Sequence, residues 1–539
     1  MERYDLAPGD MPPEVLETPV IARIFGHADT TPDALAIVAH GGDGEVRLSY
    51  RALRDQVTAL ADALRAQGIR DGEAIGFLLD NRHGYQAIIT MLACNLLSAV
   101  YVPLNARSVP RELADAVDRS SAVMIVSAPE GLPKLAAIRD SVPALRAVIS
   151  TEPSELAELD FPSMLAKGDP AAGGWPQIDM DRVSEIMFTS GTTAAPKAVA
   201  VQHVATAASC YIYGAFLGLT SDDVLESFFP VFTTASTKCV AWPILAVGGT
   251  LVLDPEMDVP AIAERCRREN TTIYYAVPAF FIFLLDLAAR QEVRLDTMRL
   301  FIFGGAPMPE EAIRKLHRQF PGVGLCQSLG STETGATGSA LYPEDMLNKL
   351  GSVGKAYPYT EVRLVDENMN EVPVDTPGEF AVRSRAVFKE YIGDPENTAA
   401  TLRDGWVLMG DIGRRDADGY LFHTDRKKDI IIRGGHNIGS MEVEGVLYRH
   451  PDVIEAAAVG VPHARLGEDV FVFVVRAAGS DLTAEALVAY CAENLADYKV
   501  PRHVAFVDAM PRNAMGKILK TTLRDDARTI LAGRTRVGA

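Results

Sequence analysis

The sequence predicts an α/β protein: a large N-terminal domain of helix-flanked, mostly parallel sheets with a small β-rich subdomain, then a small α+β domain at the C-terminus. Three observations carry this. Helical and strand periodicities alternate from about residue 50 and return near residues 245–305. After about residue 360 the texture changes to short strands separated by turn residues. A chain of 539 residues is also too long for a single hydrophobic core.

Each element follows from its own pattern. "SYRALRDQVTALADALRAQGI" spaces its apolar residues as a helix, and "EAIGFLL" follows as a short buried strand. "AIITMLACNLL" reads as a helix, and "AVYVPL" and "AVMIVS" as buried strands. Such alternation places parallel strands in one sheet with helical crossovers. "GDPAAGGWP" is a flexible loop. "FTSGTTAAPKAVAV" runs from a strand through small polar residues, Pro196 and Lys197 into a second apolar alternation. "GTLVLD", "TTIYYAVP" and "RLFIFGG" are strands, with "PAIAERCRREN" a helix among them. "EVRLVDE", "GEFAVRS" and "GYLFHTD" form the β-rich region. The last unit reads helix "EVEGVLYRHP", strands "EAAAVGVP" and "DVFVFVVRA", helix "TAEALVAYCAENL" and strand "HVAFVDAMP". A boundary is expected in "HTDRKKDIII", where charge concentrates between apolar strands, dividing the chain into residues 1–425 and 426–539.

Composition narrows the function classes. A net charge of −19 argues against a nucleic-acid surface, which needs clustered Lys and Arg. The six cysteines form no C-x-x-C pair and lie in mostly apolar surroundings, so buried reduced thiols are expected rather than zinc or disulfides. No secretory leader is evident, and no stretch reaches the roughly 20 apolar residues of a membrane helix. A cytoplasmic protein is expected, with a homodimer allowed for.

Five segments carry candidate chemistry. In the first, Thr189, Ser190, Gly191, Thr192 and Thr193 present successive hydroxyls and amides beside Lys197. That array suits a polyphosphate, although it is not a Walker loop and the same composition makes ordinary turns. In "FGGAP", Gly304 and Gly305 follow a strand and let a flat ligand lie close to backbone; in "CQSLGSTETGATG", Glu333 is the sole carboxylate, fit for a divalent cation or simply exposed. Asp411, at the end of "GWVLMGD", accepts ribose hydroxyls or begins a turn. "DRKKDIIIRGGHNIGSMEVEGVL" and "PRNAMGKILK" complete the set, with Lys517 unremarkable on its own.

Together and in this order, the segments resemble the adenylate-forming enzymes: acyl-CoA synthetases, peptide-synthetase adenylation domains and beetle luciferases. The likeness runs from about residue 30 to 525. The family pattern is T-S-G-T-T-G-x-P-K-G, Y-G-x-T-E, G-D, G-R-x-K-D with G-x-N-I-x-P-x-E-[IV]-E, and P-R-N-x-x-G-K. The resemblance implies an AMP-forming acid:CoA ligase using ATP, Mg2+ and CoA. Residues Thr189 to Thr193 and Lys197 would hold the β- and γ-phosphates, Glu333 the Mg2+, and Thr332 the α-phosphate. Gly305, Ala306 and Pro307 would border the adenine, and Asp411 and Arg426 would bind the ribose. Lys517 would bridge the substrate carboxylate and the α-phosphate while the acyl-adenylate forms. The small C-terminal domain would be mobile, turning about Lys428 to bring Gly435 to the thiol for the second step.

The chain departs from the pattern at Ala194 and Ala198, where glycine is usual, at Leu329 for tyrosine, at Thr233 for histidine and at Ser440 for proline. Alanine at a left-handed position costs about 1 kcal/mol or more. By the same resemblance the acid lies along segments 228–239, 303–306 and 328–338, with Phe232, Thr233, Thr234, Gly304 and Gly330 among its contacts. These are small or apolar with few bulky side chains, which suits an uncharged aliphatic, alicyclic or aromatic acid of some breadth. No aspartate is placed to read an ammonium, which disfavours amino acids. Lys238 is the odd residue: it meets a distal substrate oxygen or snorkels to solvent. A free-standing adenylation enzyme that loads a carrier protein is the alternative, and a catalytically dead nucleotide-binding protein the third reading. Retention of Lys197, Glu333, Asp411, Arg426 and Lys517 argues against the latter.

Overall fold

The structure is a computed structural model that describes residues 6–41, 44–189, 196–306, 308–477, 479–512 and 518–535. Two large sheets form its N-terminal part. One has nine strands, in the order Lys355–Ala356, Gly338–Leu341, Gly324–Gly330, Leu300–Gly304, Ile273–Ala276, Val224–Ser227, Thr250–Leu253, Leu35–Gly41 and Gly44–Ser49, parallel from the third to the eighth. The other has eight, in the order Glu390–Tyr391, Lys197–Gln202, Val183–Thr189, Val100–Pro103, Ala74–Leu78, Ala122–Ser127, Ala147–Ser150 and Leu159–Asp160.

Local chemistry explains these elements. Ser49 Oγ accepts from the Ala52 N–H at 3.2 Å and caps the helix Tyr50–Ala66, which buries Leu53, Val57, Leu60 and Leu64 along one side. Strand Ala74–Leu78 is buried at every position, as its unbroken apolar run requires. Helix Gly84–Leu96 is buried almost throughout because it packs on strands of both large sheets. Asp258 caps Val259–Glu269, and Asn270 ends it with φ near 54°.

The β-rich region is a third sheet, in which Trp406–Arg415 is flanked by Gly378–Ser384 and Leu421–Arg426. Residues from Ile431 onward build their own core. The antiparallel pair Val453–His463 and Gly467–Arg476 takes His503–Phe506 alongside in parallel. "VFVFV" divides by period two. Val470, Val472 and Val474 face helices Ser440–Leu447 and Ala484–Asn494, whereas Phe471 and Phe473 face helix Lys520–Thr535.

Two features lay outside the sequence reading. Residues Ala235–Ala241 form a π-helical turn before the short helix Trp242–Ala246. The two-residue strand Glu390–Tyr391 pairs with the middle of Lys197–Gln202, at Val199 and Ala200. All six cysteines are buried and free. Among the described residues, no helix is long and apolar enough to cross a membrane.

Candidate active site

The first segment is a hairpin mouth. Strands Val183–Thr189 and Lys197–Gln202 pair antiparallel, with Thr189 opposite Lys197, so both flanks of residues 190–195 are fixed in the sheet. Ser190, Gly191, Thr192, Thr193 and Ala194 lie outside the described residues, as do Pro307 and Lys517. Ala198 sits within the second strand, in register with Phe188, and is not among the left-handed residues, so alanine is unstrained there.

One tyrosine ties this hairpin to the second segment. Tyr391 lies beside Val199 in the added edge strand. The Lys197 ammonium stands 4.4 Å from the centre of its ring, and Lys197 also donates to Asn397 Oδ1 at 3.4 Å. The Tyr391 hydroxyl donates to Glu333 Oε1 at 2.7 Å. Burial, with the Glu333 charge beside it, pushes that phenol well above its usual pKa, so it remains a donor. Cation and carboxylate therefore meet the same tyrosine, one over its ring and the other at its hydroxyl. Neither Tyr391 nor Asn397 was legible as a site residue, because no local pattern announces a two-residue strand.

The loop holding Thr332 and Glu333 is tightly braced. Ala336 donates to Ser331 O at 2.8 Å, Gly335 to Thr332 O at 3.1 Å, and the buried Thr334 hydroxyl donates to Thr337 O at 2.5 Å. Gly335 and Ala336 are both left-handed, with φ of 64° and 63°. A side chain at Gly330 would come within 2.2 Å of the Ala336 carbonyl, so glycine is required for this close approach. Thr332 Oγ1 lies 3.0 Å from Thr234 Oγ1, which joins this loop to the segment holding Phe232 and Thr233. Gly304 ends its strand opposite Ser328, while Gly305, with φ of 78°, and Ala306 are exposed at the tip.

Buried tyrosines pack beside this loop and beside Gly304. The Tyr275 hydroxyl contacts Ser328 Oγ beside Gly304. Phe229 packs edge-on to Tyr275 at 5.2 Å, and Tyr213 packs on Tyr357 at 5.7 Å. These tyrosines come from helix His203–Leu217, strand Ile273–Ala276 and the turn after Ala356, none of which carried a motif.

Asp411 and Arg426 are opposite each other on strands Trp406–Arg415 and Leu421–Arg426, with Arg426 Nε 3.6 Å from Asp411 Oδ1. Asp411 is buried and Arg426 exposed. His423, which no motif singled out, places Nε2 2.9 Å from Asp411 Oδ1 and Nδ1 3.0 Å from Met441 Sδ. Gly435, with φ of 85°, is exposed at the tip of the hairpin Ile431–Ile438, and Lys428 lies just after Arg426.

Lys238 requires a correction. Its side chain is 1% exposed, so it does not snorkel. Its ammonium contacts the Glu185 carboxylate and donates to Thr206 Oγ1 at 2.6 Å. The unpaired charge on which a substrate contact rested is absent. The reason is that Glu185, in strand Val183–Thr189, supplies the partner that lets this lysine of the π turn stay buried.

The comparisons with known proteins agree on one family. The profile of the AMP-binding enzymes matches residues 24–392, and that of the AMP-binding enzyme C-terminal domain matches residues 442–517. A feruloyl-CoA synthase of Amycolatopsis is 35% identical over 92% of this chain and 96% of its own length. An indoleacetate–CoA ligase of Aromatoleum aromaticum is 33% identical over 94% and 97%. The ATP-bound MatB of Rhodopseudomonas palustris superposes with a TM-score of 0.86 at 29% identity, over 95% of this chain and 99% of that one.

Proposed function

The chain belongs to the AMP-binding enzyme family, and from that premise we propose that it is an AMP-forming acid:CoA ligase whose acid is a compact, ring-bearing carboxylic acid. The observation that carries the chemistry is the Lys197–Tyr391–Glu333 arrangement. It holds a cation for phosphate oxygens and a carboxylate for a divalent metal at fixed separation. Phosphoryl-centre substitution needs this positioning and neutralisation more than any covalent group.

The residues present fit Mg2+ at Glu333: the carboxylate is oriented by Tyr391 and forms no ion pair among the described residues. When bound, the metal neutralises charge between the phosphates. Thr189 and Lys197 flank the phosphate loop, Thr332 serves the α-phosphate, and Asp411 with Arg426 takes the ribose. A carboxylate oxygen attacks the α-phosphorus as pyrophosphate leaves, with Lys517 steadying the charge. The CoA thiol then attacks the acyl carbon and AMP leaves. The part from Arg426 onward turns about Lys428 between these steps and presents Gly435 to the thiol.

The ring preference is supported by the aromatic Tyr275, whose hydroxyl contacts Ser328 beside Gly304 in the segments expected to hold the acid, and by the ring acids in the names of both relatives. It tests directly. With ATP, Mg2+ and CoA, ferulate, cinnamate and indoleacetate should exceed palmitate in kcat/KM by at least about tenfold, read as thioester and AMP. The reverse order removes the ring reading. No AMP from any acid removes the ligase reading.

Tyr391 gives a second expectation. Tyr391→Phe deletes the hydroxyl on Glu333 and keeps the ring under Lys197. Apparent KM for MgATP should rise about 3- to 10-fold at nearly unchanged thermal stability. A pyrophosphate-release assay at varied Mg2+ checks this.

A further inference from the structure

Strand register places His423 against Asp411. Strands Trp406–Arg415 and Leu421–Arg426 pair Asp411 with Arg426 and Ile412 with Asp425, and then Gly413 with His423. Thr424 is therefore an extra residue, a bulge that shifts the register by one. Side chains alternate along a strand, so without the bulge His423 would stand opposite Arg414 and point away from Asp411. With it, His423 shares a face with Asp411 and Gly413. Gly413 brings no side chain to that face, and a Cβ there would collide with the Phe380 ring and the Phe422 carbonyl.

The imidazole is held from several sides. Nε2 lies 2.9 Å from Asp411 Oδ1, Nδ1 lies 3.0 Å from Met441 Sδ, and the centre of the Phe380 ring is 6.2 Å from its own. An ionised carboxylate only accepts, so Nε2 carries the hydrogen and donates. The side chains of His423 and Asp411 are 13% and 9% exposed, against 45% for Arg426. Arg426 Nε, 3.6 Å from the same oxygen, is beyond hydrogen-bond reach. Of these two partners, the histidine gives Oδ1 a directed bond and the arginine a looser charge.

We infer that His423 is a positioning residue for the nucleotide: by holding Asp411 Oδ1 it fixes the plane of the carboxylate that accepts the two ribose hydroxyls. The inference rests on the ligase reading above, in which Asp411 takes the ribose. A carboxylate that rotates must be ordered at each binding event, whereas one already hydrogen-bonded presents its other acceptor sites in place. A carboxylate has about four lone-pair sites, so the bond to His423 leaves room for the sugar.

The test compares ATP with 2′,3′-dideoxy-ATP, which lacks both hydroxyls, in the full-length enzyme with the fastest acid of the panel. Acid-dependent pyrophosphate release gives kcat/KM, and calorimetry with the magnesium nucleotide gives Kd. The wild type should favour ATP at least about tenfold. His423→Leu removes the donor and should lower kcat/KM for ATP about 5- to 20-fold, chiefly through KM. Its loss on the dideoxy nucleotide should be less than about twofold, and KM for the acid should stay within about twofold of wild type. His423→Gln, whose amide donates from nearly the same place, should come within about threefold of wild type on ATP. Equal losses on both nucleotides, no loss on ATP, a Gln variant no better than Leu, or a wild type indifferent to the hydroxyls overturns the inference. His423→Phe, which keeps a ring without a donor, is read in place of the Leu variant if that one does not fold. Absence of pyrophosphate release with every acid overturns the ligase reading instead, and the same comparison of Kd values then decides the role of His423.

Discussion

Lys517→Ala is expected to lower acid-dependent pyrophosphate release about 100- to 1,000-fold while thioester formation from supplied adenylate stays within about threefold of wild type. The size follows from charge. As the carboxylate oxygen joins phosphorus, negative charge accumulates on the α-phosphate oxygens. An ammonium about 4 Å away in a partly desolvated crevice contributes on the order of 4 kcal/mol. Lys197 cannot substitute, because its ammonium is fixed over Tyr391 and beside Asn397. Lys517→Arg should recover little, since a planar fork on a longer stem does not place a point charge at the same spot. MgATP binding should persist, as Thr189, Lys197, Glu333 and Asp411 are untouched. The measurements are pyrophosphate exchange, AMP release from supplied adenylate, and nucleotide affinity. Equal loss of both half-reactions, or ADP as product, would remove Lys517 from the chemistry of the first step.

The asymmetry in that prediction mirrors what the chain discloses locally. Elements with an internal period were legible: the unbroken apolar run of Ala74–Leu78, the alternation of Val470 to Val474 and the helical spacing of Tyr50–Ala66 all match their observed environments. Glu333 draws notice in the sequence as a lone carboxylate among small residues, but its Tyr391 partner does not. Residues that work through distant partners were not legible. Tyr391 acquires a role only because a two-residue strand docks beside Val199, and His423 only because strand pairing sets it near Asp411. Tyr213, Tyr275 and Tyr357, which pack near Gly304 and Ala336, likewise lie outside the segments that carry the resemblance.

Lys238→Met should cost about 3–5 kcal/mol, seen as a fall of roughly 5–10 °C in the midpoint of thermal unfolding, without a preference among acids. Lys238 and Glu185 are 1% and 0% exposed and in contact. The second Glu185 oxygen is buried without a hydrogen bond among the described residues. Methionine fills the volume of lysine but leaves that carboxylate uncompensated. Burial already raises the Glu185 pKa, and removing the lysine charge raises it further. The sign of the pH dependence follows. The unfolded glutamate ionises near 4.3, the folded one only at higher pH, so the variant loses stability as pH rises above the unfolded value. The deficit against wild type should therefore be smallest near pH 5 and grow toward pH 8. Adding Glu185→Gln removes the buried charge, and the double variant should regain most of the loss at neutral pH. Activity should fall alike on ferulate and on cinnamate, because the ammonium faces Glu185 and Thr206. An unchanged melting temperature with selective loss on the oxygenated acid would instead place Lys238 at the substrate.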